Sequence, residues 1–165
     1  MVDAGIWLVI EIVTYEPLYA DAFSDLNKEW IEAYFEVEDE DIKVLSNPEG
    51  YVMAGGGEIF FALDETRKAV GTVAMVSTEE GVFELAKMAV SPSMQGQGIS
   101  RLLMAACIDF ARARDAREIF LVTNDALLPA MGLYEKSGFV RLPKIEDARY
   151  SRGNTEMRLV LSGAG

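Results

Sequence analysis

Apolar residues recur along much of the chain at the spacing of amphipathic helices. From residue 99 to residue 113 an apolar side chain returns every three or four positions, which predicts a helix with one buried face. Pro17 favours the start of a helical region of two segments that ends at Ser46. Residues 127–136 predict a further short helix, because Gly138 suits the position just after a helix end.

Other runs are apolar and rich in β-branched residues, which favours strands. Short polar turns join the second, third and fourth of these runs, which predicts an antiparallel meander. The predicted strands are residues 6–14, 58–63, 69–77, 82–90, 118–123, 139–142 and 155–161. We therefore expect one α+β domain over residues 1–161, followed by a disordered tail at residues 162–165.

Composition and charge limit the classes of function. Of the 165 residues, 50% are hydrophobic and 25% are charged, and the net charge is −12. Such a surface repels phosphate backbones, which argues against general nucleic-acid binding; it either suits a cationic acceptor or serves solubility alone. The single cysteine, the lack of a basic amino-terminal segment and the lack of a long apolar run predict a cytoplasmic protein that binds no membrane.

The chain contains no histidine. That absence excludes catalytic Ser-His and Cys-His pairs, and with one cysteine it leaves no ligand set for a transition metal. We therefore expect no metal site, and a general base must be Asp, Glu, Tyr, Lys or water. Cys107 lies one turn beyond Leu103 on the predicted helix face, so we interpret it as a core residue rather than a nucleophile.

A glycine-rich turn joins the predicted strand 82–90 to the helix that begins at Ile99. Its sequence over residues 91–98 is Ser-Pro-Ser-Met-Gln-Gly-Gln-Gly. Backbone N–H groups in such a turn, together with the helix dipole, favour an anion such as a pyrophosphate. The third glycine of dinucleotide-binding folds and the lysine of a P-loop are both absent, so neither of those motifs is predicted.

The turn resembles the coenzyme A signature of the GNAT superfamily of N-acetyltransferases, Gln/Arg-x-x-Gly-x-Gly/Ala. Residues 95–100 read Gln-Gly-Gln-Gly-Ile-Ser, and they match the signature at Gln95 and Gly98. Ser100 departs from the usual glycine or alanine, but it is small enough to preserve the turn.

A second segment strengthens the resemblance. Asn124 and Ala130 precede residues 133–139, Leu-Tyr-Glu-Lys-Ser-Gly-Phe, which are similar to the family's Asn…Ala-x-x-Leu-Tyr-Glu-Lys-x-Gly-Phe segment. The chain is therefore identified as a member of the GNAT superfamily. The resemblance implies an α+β fold in which about four helices flank a mixed, mostly antiparallel sheet of about seven strands, and an N-acetyltransferase activity.

The resemblance also implies which residues bind acetyl-CoA. The turn amides, with the side chains of Gln95 and Arg101, would hold the pyrophosphate, and the pantetheine arm would lie along residues 88–90 like an added strand. An amide near Met88 would polarise the thioester carbonyl, and Asn124 would contact the pantetheine. The expected cofactor-binding residues are Met88, Ala89, Val90, Gln95, Gly96, Gln97, Gly98, Ile99, Ser100, Arg101, Asn124, Tyr134 and Lys136.

Acetyl transfer to an amine needs a neutral nucleophile, fixed donors for the developing oxyanion and a proton for the leaving thiolate. The resemblance assigns that proton to Tyr134, as a general acid beside the sulfur. Strand alternation puts Glu84 on the face of Met88, at the position of the catalytic glutamate in the histone-type branch of the family. Glu84 is therefore a candidate base, and its alternative role is a structural ion pair with a lysine or arginine. No residue suits a covalent acetyl-enzyme, which predicts direct attack in a ternary complex.

The expected acceptor is a primary amine of a small or amino-acid-like molecule. A peptide or protein acceptor, and a non-catalytic module that senses acyl-CoA, are the alternatives. Dimers are frequent in such families, so a homodimer is allowed.

Three groups of residues have both a structural and an acceptor-binding interpretation. Helix-spaced aromatic residues either form core or wall the acceptor pocket, and the acidic run 36–41 either attracts a cation or starts a helix. Two late arginines and a tyrosine either hold an acceptor carboxylate or are ordinary surface residues. The aromatic residues are Trp30, Tyr34 and Phe35, and the late group is Arg149, Tyr150 and Arg152.

Overall fold

A computed structural model describes residues 9–143 and 149–161. Its strands are β1 Glu11–Thr14, β2 Glu58–Leu63, β3 Ala69–Glu79, β4 Val82–Val90, β5 Glu118–Thr123, β6 Val140–Arg141 and β7 Thr155–Val160. Its α-helices are α1 Ala20–Tyr34, α2 Asp39–Ser46, α3 Ile99–Ala113 and α4 Leu128–Lys136. The predicted bounds of β2, β4 and β5 are confirmed. Residues 9 and 10 precede β1, which starts at Glu11. Residues 6–8 of the predicted first strand and the predicted tail at residues 162–165 lie outside the described residues.

The seven strands form one sheet in the order β1-β2-β3-β4-β5-β7-β6. The pairs β1–β2, β2–β3 and β3–β4 are antiparallel, as the predicted meander requires, and β7 is antiparallel to both β5 and β6. Among the strand pairs of residues 9–143 and 149–161, only β4 and β5 run parallel. The predicted α+β fold, a mixed and mostly antiparallel sheet flanked by helices, is therefore confirmed.

Each face of the sheet is covered by its own hydrophobic core. Alternation along β2 sends Phe60 and Ala62 to the face covered by α3, and Ile59 and Phe61 to the face covered by α1 and α2. Cys107 is a residue of α3 whose side chain lies in the core between this helix and the sheet. Burial raises the pKa of its thiol above the usual value. Its interpretation as a core residue is confirmed.

The parallel strands β4 and β5 pair over only three residues. Their register ends where Glu84 meets Phe120, so the two strands separate beyond that point. The separation leaves the later part of β4 without β5 as a neighbour, and a gap opens in the middle of the sheet.

A bulge interrupts β4 inside that gap. Thr72 pairs with Ala89 and Ala74 pairs with Ala86, so β4 carries one more residue than β3 between the two pairs. Lys87 takes the left-handed backbone conformation there, with a φ of 57°. The alternation that predicts Glu84 and Met88 on one face therefore fails, and Met88 packs against the core under α3.

No helix in residues 9–143 and 149–161 is both long and apolar enough to cross a membrane.

Candidate active site

Two cavities meet in the gap between β4 and β5. The small cavity, of about 200 Å³, lies among β4, β5, the ends of α1 and α2, and residues 149–153. The large cleft, of about 970 Å³, follows the end of β4, the glycine-rich turn and α4. Trp30, Met88 and Tyr134 line both spaces. Groups held on either side of these residues can therefore approach each other, as transfer between two bound molecules requires.

The glycine-rich turn forms one wall of the large cleft. Gly96 and Gly98 have left-handed backbones, with φ values of 78° and 82°, and Gly98 is the N-cap of α3. Nothing lies within 4 Å of a Cβ built on either glycine, so the space in front of the turn is open. The first N–H groups of α3 have no partner within the helix and add a positive dipole end at this opening. The turn therefore suits a phosphate group.

Alanine at Gly98 should weaken acetyl-CoA binding by about tenfold, since a left-handed backbone costs a residue with a Cβ about 1–2 kcal/mol and the turn would shift to avoid it. Isothermal titration of acetyl-CoA measures the effect. Gly55→Ala is the control, because Gly55 has room for a Cβ and a backbone that any residue adopts. Equal dissociation constants for both variants would contradict the role of this turn.

All but one of the expected cofactor-binding residues line the large cleft. The amide of Gln95 donates to the carbonyl of Val90 over 3.2 Å, so this side chain also ties the turn to the end of β4. Asn124 is the exception and lines the small cavity. Its side-chain amide donates to the carbonyl of Arg152 and accepts from the N–H of Ala126, which joins the end of β5 to the segment 149–153.

Tyr134 lies on α4 at the junction of the two cavities. Its ring packs edge-on against Phe139, with the centroids 6.2 Å apart. Burial raises the pKa of the phenol to about 12, so the hydroxyl keeps its proton at neutral pH. Tyr134 is therefore in the protonation state that a general acid needs.

Glu84 is the last residue of β4 that pairs with β5, and its side chain is buried beside the small cavity. The guanidinium of Arg149 donates two hydrogen bonds to the carboxylate, 3.0 Å from Nη1 to Oε1 and 2.8 Å from Nη2 to Oε2. This bidentate contact is the ion pair that the sequence left as an alternative. The role of Glu84 as a base stays a prediction.

A buried charge cluster lies next to Glu84. Asp41, whose side chain is 0% exposed, accepts hydrogen bonds from Lys87 and from both terminal nitrogens of Arg152. Burial alone would raise the pKa of Asp41, but the hydrogen bonds from Arg152 and Lys87 outweigh it and lower the pKa to about 2. Burial lowers the pKa of Lys87, and the contact with Asp41 offsets only part of that effect. The cluster therefore joins α2, the β4 bulge and the segment 149–153.

The acidic run 36–41 proves to start a helix. Glu38 and Asp41 form a capping box at the first turn of α2, in which each side chain accepts from the other residue's backbone N–H. Asp41 also forms buried ion pairs with Lys87 and Arg152, so the acidic run 36–41 is not entirely exposed to solvent. These ion pairs could not be predicted from the sequence, since the partners Lys87 and Arg152 are far from Asp41 in the chain.

Residues 149–152 form one wall of the small cavity. Both arginines of this segment hold the protein's own carboxylates: Arg149 pairs with Glu84, and Arg152 pairs with Asp41 and Glu38. The ring of Tyr150 lies 4.5 Å from the guanidinium of Arg152, and its hydroxyl accepts a hydrogen bond from Lys87. These ion pairs therefore hold the segment 149–152 against β4 and α2.

The aromatic residues at the end of α1 line the cavities. Trp30 contacts Tyr34 at 5.4 Å and Phe35 at 6.5 Å between ring centroids. Trp30 and Phe35 are half-buried and face the small cavity, whereas Tyr34 is exposed beside the large cleft. The structure therefore favours the pocket-wall interpretation of these side chains. Tyr51, which sequence analysis did not select, also lines the small cavity.

In the part of the chain that the structure describes, no group of three or more acidic or cysteine side chains is placed to hold a metal ion.

The chain and its fold match one family of known proteins. The model of the acetyltransferase (GNAT) family matches residues 16–139. Human N-acetyltransferase 8B is 32% identical over 88 residues, which are 50% of this chain and 39% of the relative. N-acetylaspartate synthetase of Danio rerio is 32% identical over 104 residues, which are 62% of this chain and 37% of the relative. The chain thus spans about two fifths of the length of these relatives.

Solved structures share the fold at low sequence identity. An acetyltransferase of the GNAT family from Staphylococcus aureus Mu50 superposes with a TM-score of 0.84 at 19% identity, covering 93% of this chain and 100% of that one. A Salmonella typhimurium structure with its cofactor acetyl-CoA has a TM-score of 0.76 at 16% identity, covering 93% and 95%. Since the family model matches most of the chain and the architecture agrees, this protein belongs to the GNAT acetyltransferase family.

Proposed function

We propose that this protein transfers the acetyl group of acetyl-CoA to the primary amine of a small molecule. The observation that carries the proposal is the junction at Met88 and Tyr134, where a long cleft beside a phosphate-suited turn meets a separate cavity. The names of several relatives and neighbours, including N-acetylaspartate synthetase and spermidine N-acetyltransferase, point to small acceptors. They support a small-molecule acceptor here as well.

The large cleft is where acetyl-CoA would bind. The amides around Gly96 and Gly98 would hold its pyrophosphate, and Arg101 and Lys136 line the same cleft with cationic side chains. The later part of β4 lacks β5 as a neighbour and can pair with the pantetheine arm, as a sheet edge pairs with an added strand. Acetyl-CoA supplies the activated acetyl group when bound.

Two groups of the chain would act on the reacting atoms. The backbone N–H near Met88 would donate to the thioester oxygen and stabilise its negative charge as the amine attacks. A new N–C bond forms, the C–S bond breaks, and Tyr134 gives its proton to the departing sulfur. Because burial raises the pKa of Tyr134, the phenol carries this proton at neutral pH.

The amine must lose a proton before or during its attack. Glu84 lies at the small cavity and would take that proton directly or through water, with Arg149 holding the carboxylate in one orientation. Water without Glu84 is the second route. The cavity walls would hold the amine in the same complex as acetyl-CoA, and burial of Cys107 removes the one thiol from consideration as an acetyl carrier.

A peptide or protein acceptor and a non-catalytic acyl-CoA sensor remain the competing functions. The small cavity, of about 200 Å³, favours a small acceptor over a peptide. The position of Tyr134 at the junction of the two cavities favours catalysis over sensing, because binding alone needs only the turn and the strand. A cytoplasmic location and a homodimer stay predictions from the sequence.

Thiol release in the presence of acetyl-CoA and a broad panel of amines tests the proposal. We expect coenzyme A to appear with at least one amine at a rate about 100-fold or more above hydrolysis. Acetyl-CoA binding measured in parallel shows whether the cofactor site is intact. Binding without any release above hydrolysis would favour the sensor and overturn the proposed function.

A further inference from the structure

The walls of the small cavity define the chemical class of its occupant. Resting on the proposed acetyl transfer, we propose that the acceptor is a primary amine on an aromatic or similarly flat apolar body, not a polyamine or an amino acid. The structure supports this through three features: the aromatic walls, the pairing of the nearby carboxylates and the pairing of the nearby arginines.

Aromatic side chains from three separate segments surround the small cavity. Trp30 and Phe35 come from the end of α1, Tyr51 from the segment after α2, and Tyr150 from the segment 149–153. The strands β3, β4 and β5 also line the cavity, at Val76, Leu85, Leu121 and Val122. Flat apolar groups gain burial and ring contacts against such walls, whereas charged groups lose hydration there.

A π-helical turn fixes the position of Tyr51. The turn spans Glu49–Met53, a rare backbone arrangement that is often found at functional sites. Val52 is fully buried in the core under α1 and α2, and Glu49 accepts a hydrogen bond from the hydroxyl of Tyr15. With Val52 anchored inward, its neighbour Tyr51 faces the cavity with 45% of its surface exposed. The turn thus holds an aromatic side chain at the cavity.

The acidic groups near the cavity are poorly suited to a polyamine. Arg149 already holds Glu84, and Asp41 is held by Lys87 and Arg152. Glu40 also lines the cavity, and it forms a looser ion pair with Lys43, with 3.9 Å between Oε1 and Nζ. The Glu40 carboxylate can pair with one ammonium group, whereas a polyamine carries several ammonium groups that each need a partner.

The basic groups are equally unsuited to an acceptor carboxylate. The guanidinium of Arg152 bonds to Asp41 with both terminal nitrogens, and Arg149 bonds to Glu84 in the same bidentate way. An amino-acid carboxylate would have to displace one of these pairs and leave a buried carboxylate uncompensated. The interpretation of Arg149 and Arg152 as an acceptor-carboxylate site is therefore disfavoured.

The test compares 2-phenylethylamine, spermidine and aspartate in two measurements on the whole chain. Thiol release gives kcat/KM for each amine, and titration calorimetry on the protein saturated with coenzyme A gives each dissociation constant. We expect kcat/KM for 2-phenylethylamine to be about tenfold or more higher than for the other two compounds, and its dissociation constant to be about tenfold or more lower. A preference for spermidine or for aspartate in either measurement overturns the inference while leaving acetyl transfer intact.

The calorimetric measurement separates this inference from the proposed function. Tight binding of 2-phenylethylamine without thiol release would contradict acetyl transfer and still support the aromatic cavity.

Tyr51→Ala should raise the KM for 2-phenylethylamine by about fivefold to tenfold and change kcat by less than about twofold, because Tyr51 touches the body of the acceptor and not its amine. Ile42→Ala is the matched control, since Ile42 is 49% exposed on α2 and lies outside the cavity lining. Equal KM values for the two variants would overturn the inference.

Discussion

Replacement of Tyr134 by phenylalanine should lower kcat at neutral pH by about 100-fold or more and leave the KM for acetyl-CoA within about threefold. The ring of phenylalanine keeps the packing against Phe139, so the change removes the hydroxyl alone. Without it the departing thiolate has no proton donor at the junction of the two cavities. Steady-state thiol release at saturating amine measures both constants.

The control for this prediction is Tyr19→Phe. Tyr19 is also buried, but it lies in the core under α1 and α2, away from both cavities. We expect its kcat to stay within about twofold of the wild-type value. A wild-type kcat for Tyr134→Phe would remove Tyr134 from the mechanism.

The pH dependence of the reaction follows from the same residue. Because burial raises the pKa of Tyr134 to about 12, its hydroxyl remains protonated through the alkaline range in which enzymes are assayed. The wild-type rate should therefore show no loss from Tyr134 below about pH 10. An alkaline loss of kcat near pH 9 that disappears in Tyr134→Phe would contradict the assigned protonation state.

Replacement of Asp41 by asparagine should lower the free energy of unfolding by about 3–5 kcal/mol. The variant leaves Lys87 and Arg152 buried with their shared counter-charge removed, whereas the native carboxylate satisfies both. Urea unfolding at neutral pH, followed by circular dichroism, measures the loss. Glu11→Gln is the control, because the Glu11–Arg67 pair is mostly exposed and should contribute less than about 1 kcal/mol.

Acid unfolding gives a second measure of the Asp41 cluster. The folded-state pKa of Asp41 is about 2, below the ordinary value of 3.8, so its stabilisation is complete above pH 3.8 and is lost as the pH falls through 2. The wild type should lose about 2 kcal/mol from this group between pH 4 and pH 2, and Asp41→Asn should not. Parallel pH dependence of the two proteins would contradict the buried pair.

Local patterns in the sequence predicted most of the fold. Continuous apolar runs marked β2, β4 and β5 at their observed bounds, because strands buried on both faces leave that signature. The glycine-rich turn and the segment around Tyr134 were found by motif, and the structure brings both to one cleft. These features were predictable because each is encoded within a few consecutive residues.

Features that depend on distant residues were not predictable. The bulge at Lys87 has no local sequence marker, since lysine is an unusual residue for a positive φ and the buried partner Asp41 lies on another element. The same holds for the pair of Glu84 with Arg149, which the sequence could only offer as an alternative. The π-helical turn at Tyr51 was missed because residues 47–50, Asn-Pro-Glu-Gly, are typical only of a turn that ends a helix.

The presence of one active site across both cavities is tested most directly by a bisubstrate compound. The sulfur of coenzyme A would be joined through an acetyl linker to the amine with the highest kcat/KM in the panel, and its binding would be measured by titration calorimetry. Because the compound fills the large cleft and the small cavity at once, it should bind at least about 100-fold more tightly than coenzyme A. A dissociation constant equal to that of coenzyme A would show that the two cavities do not act together, and it would contradict acetyl transfer at the Met88–Tyr134 junction.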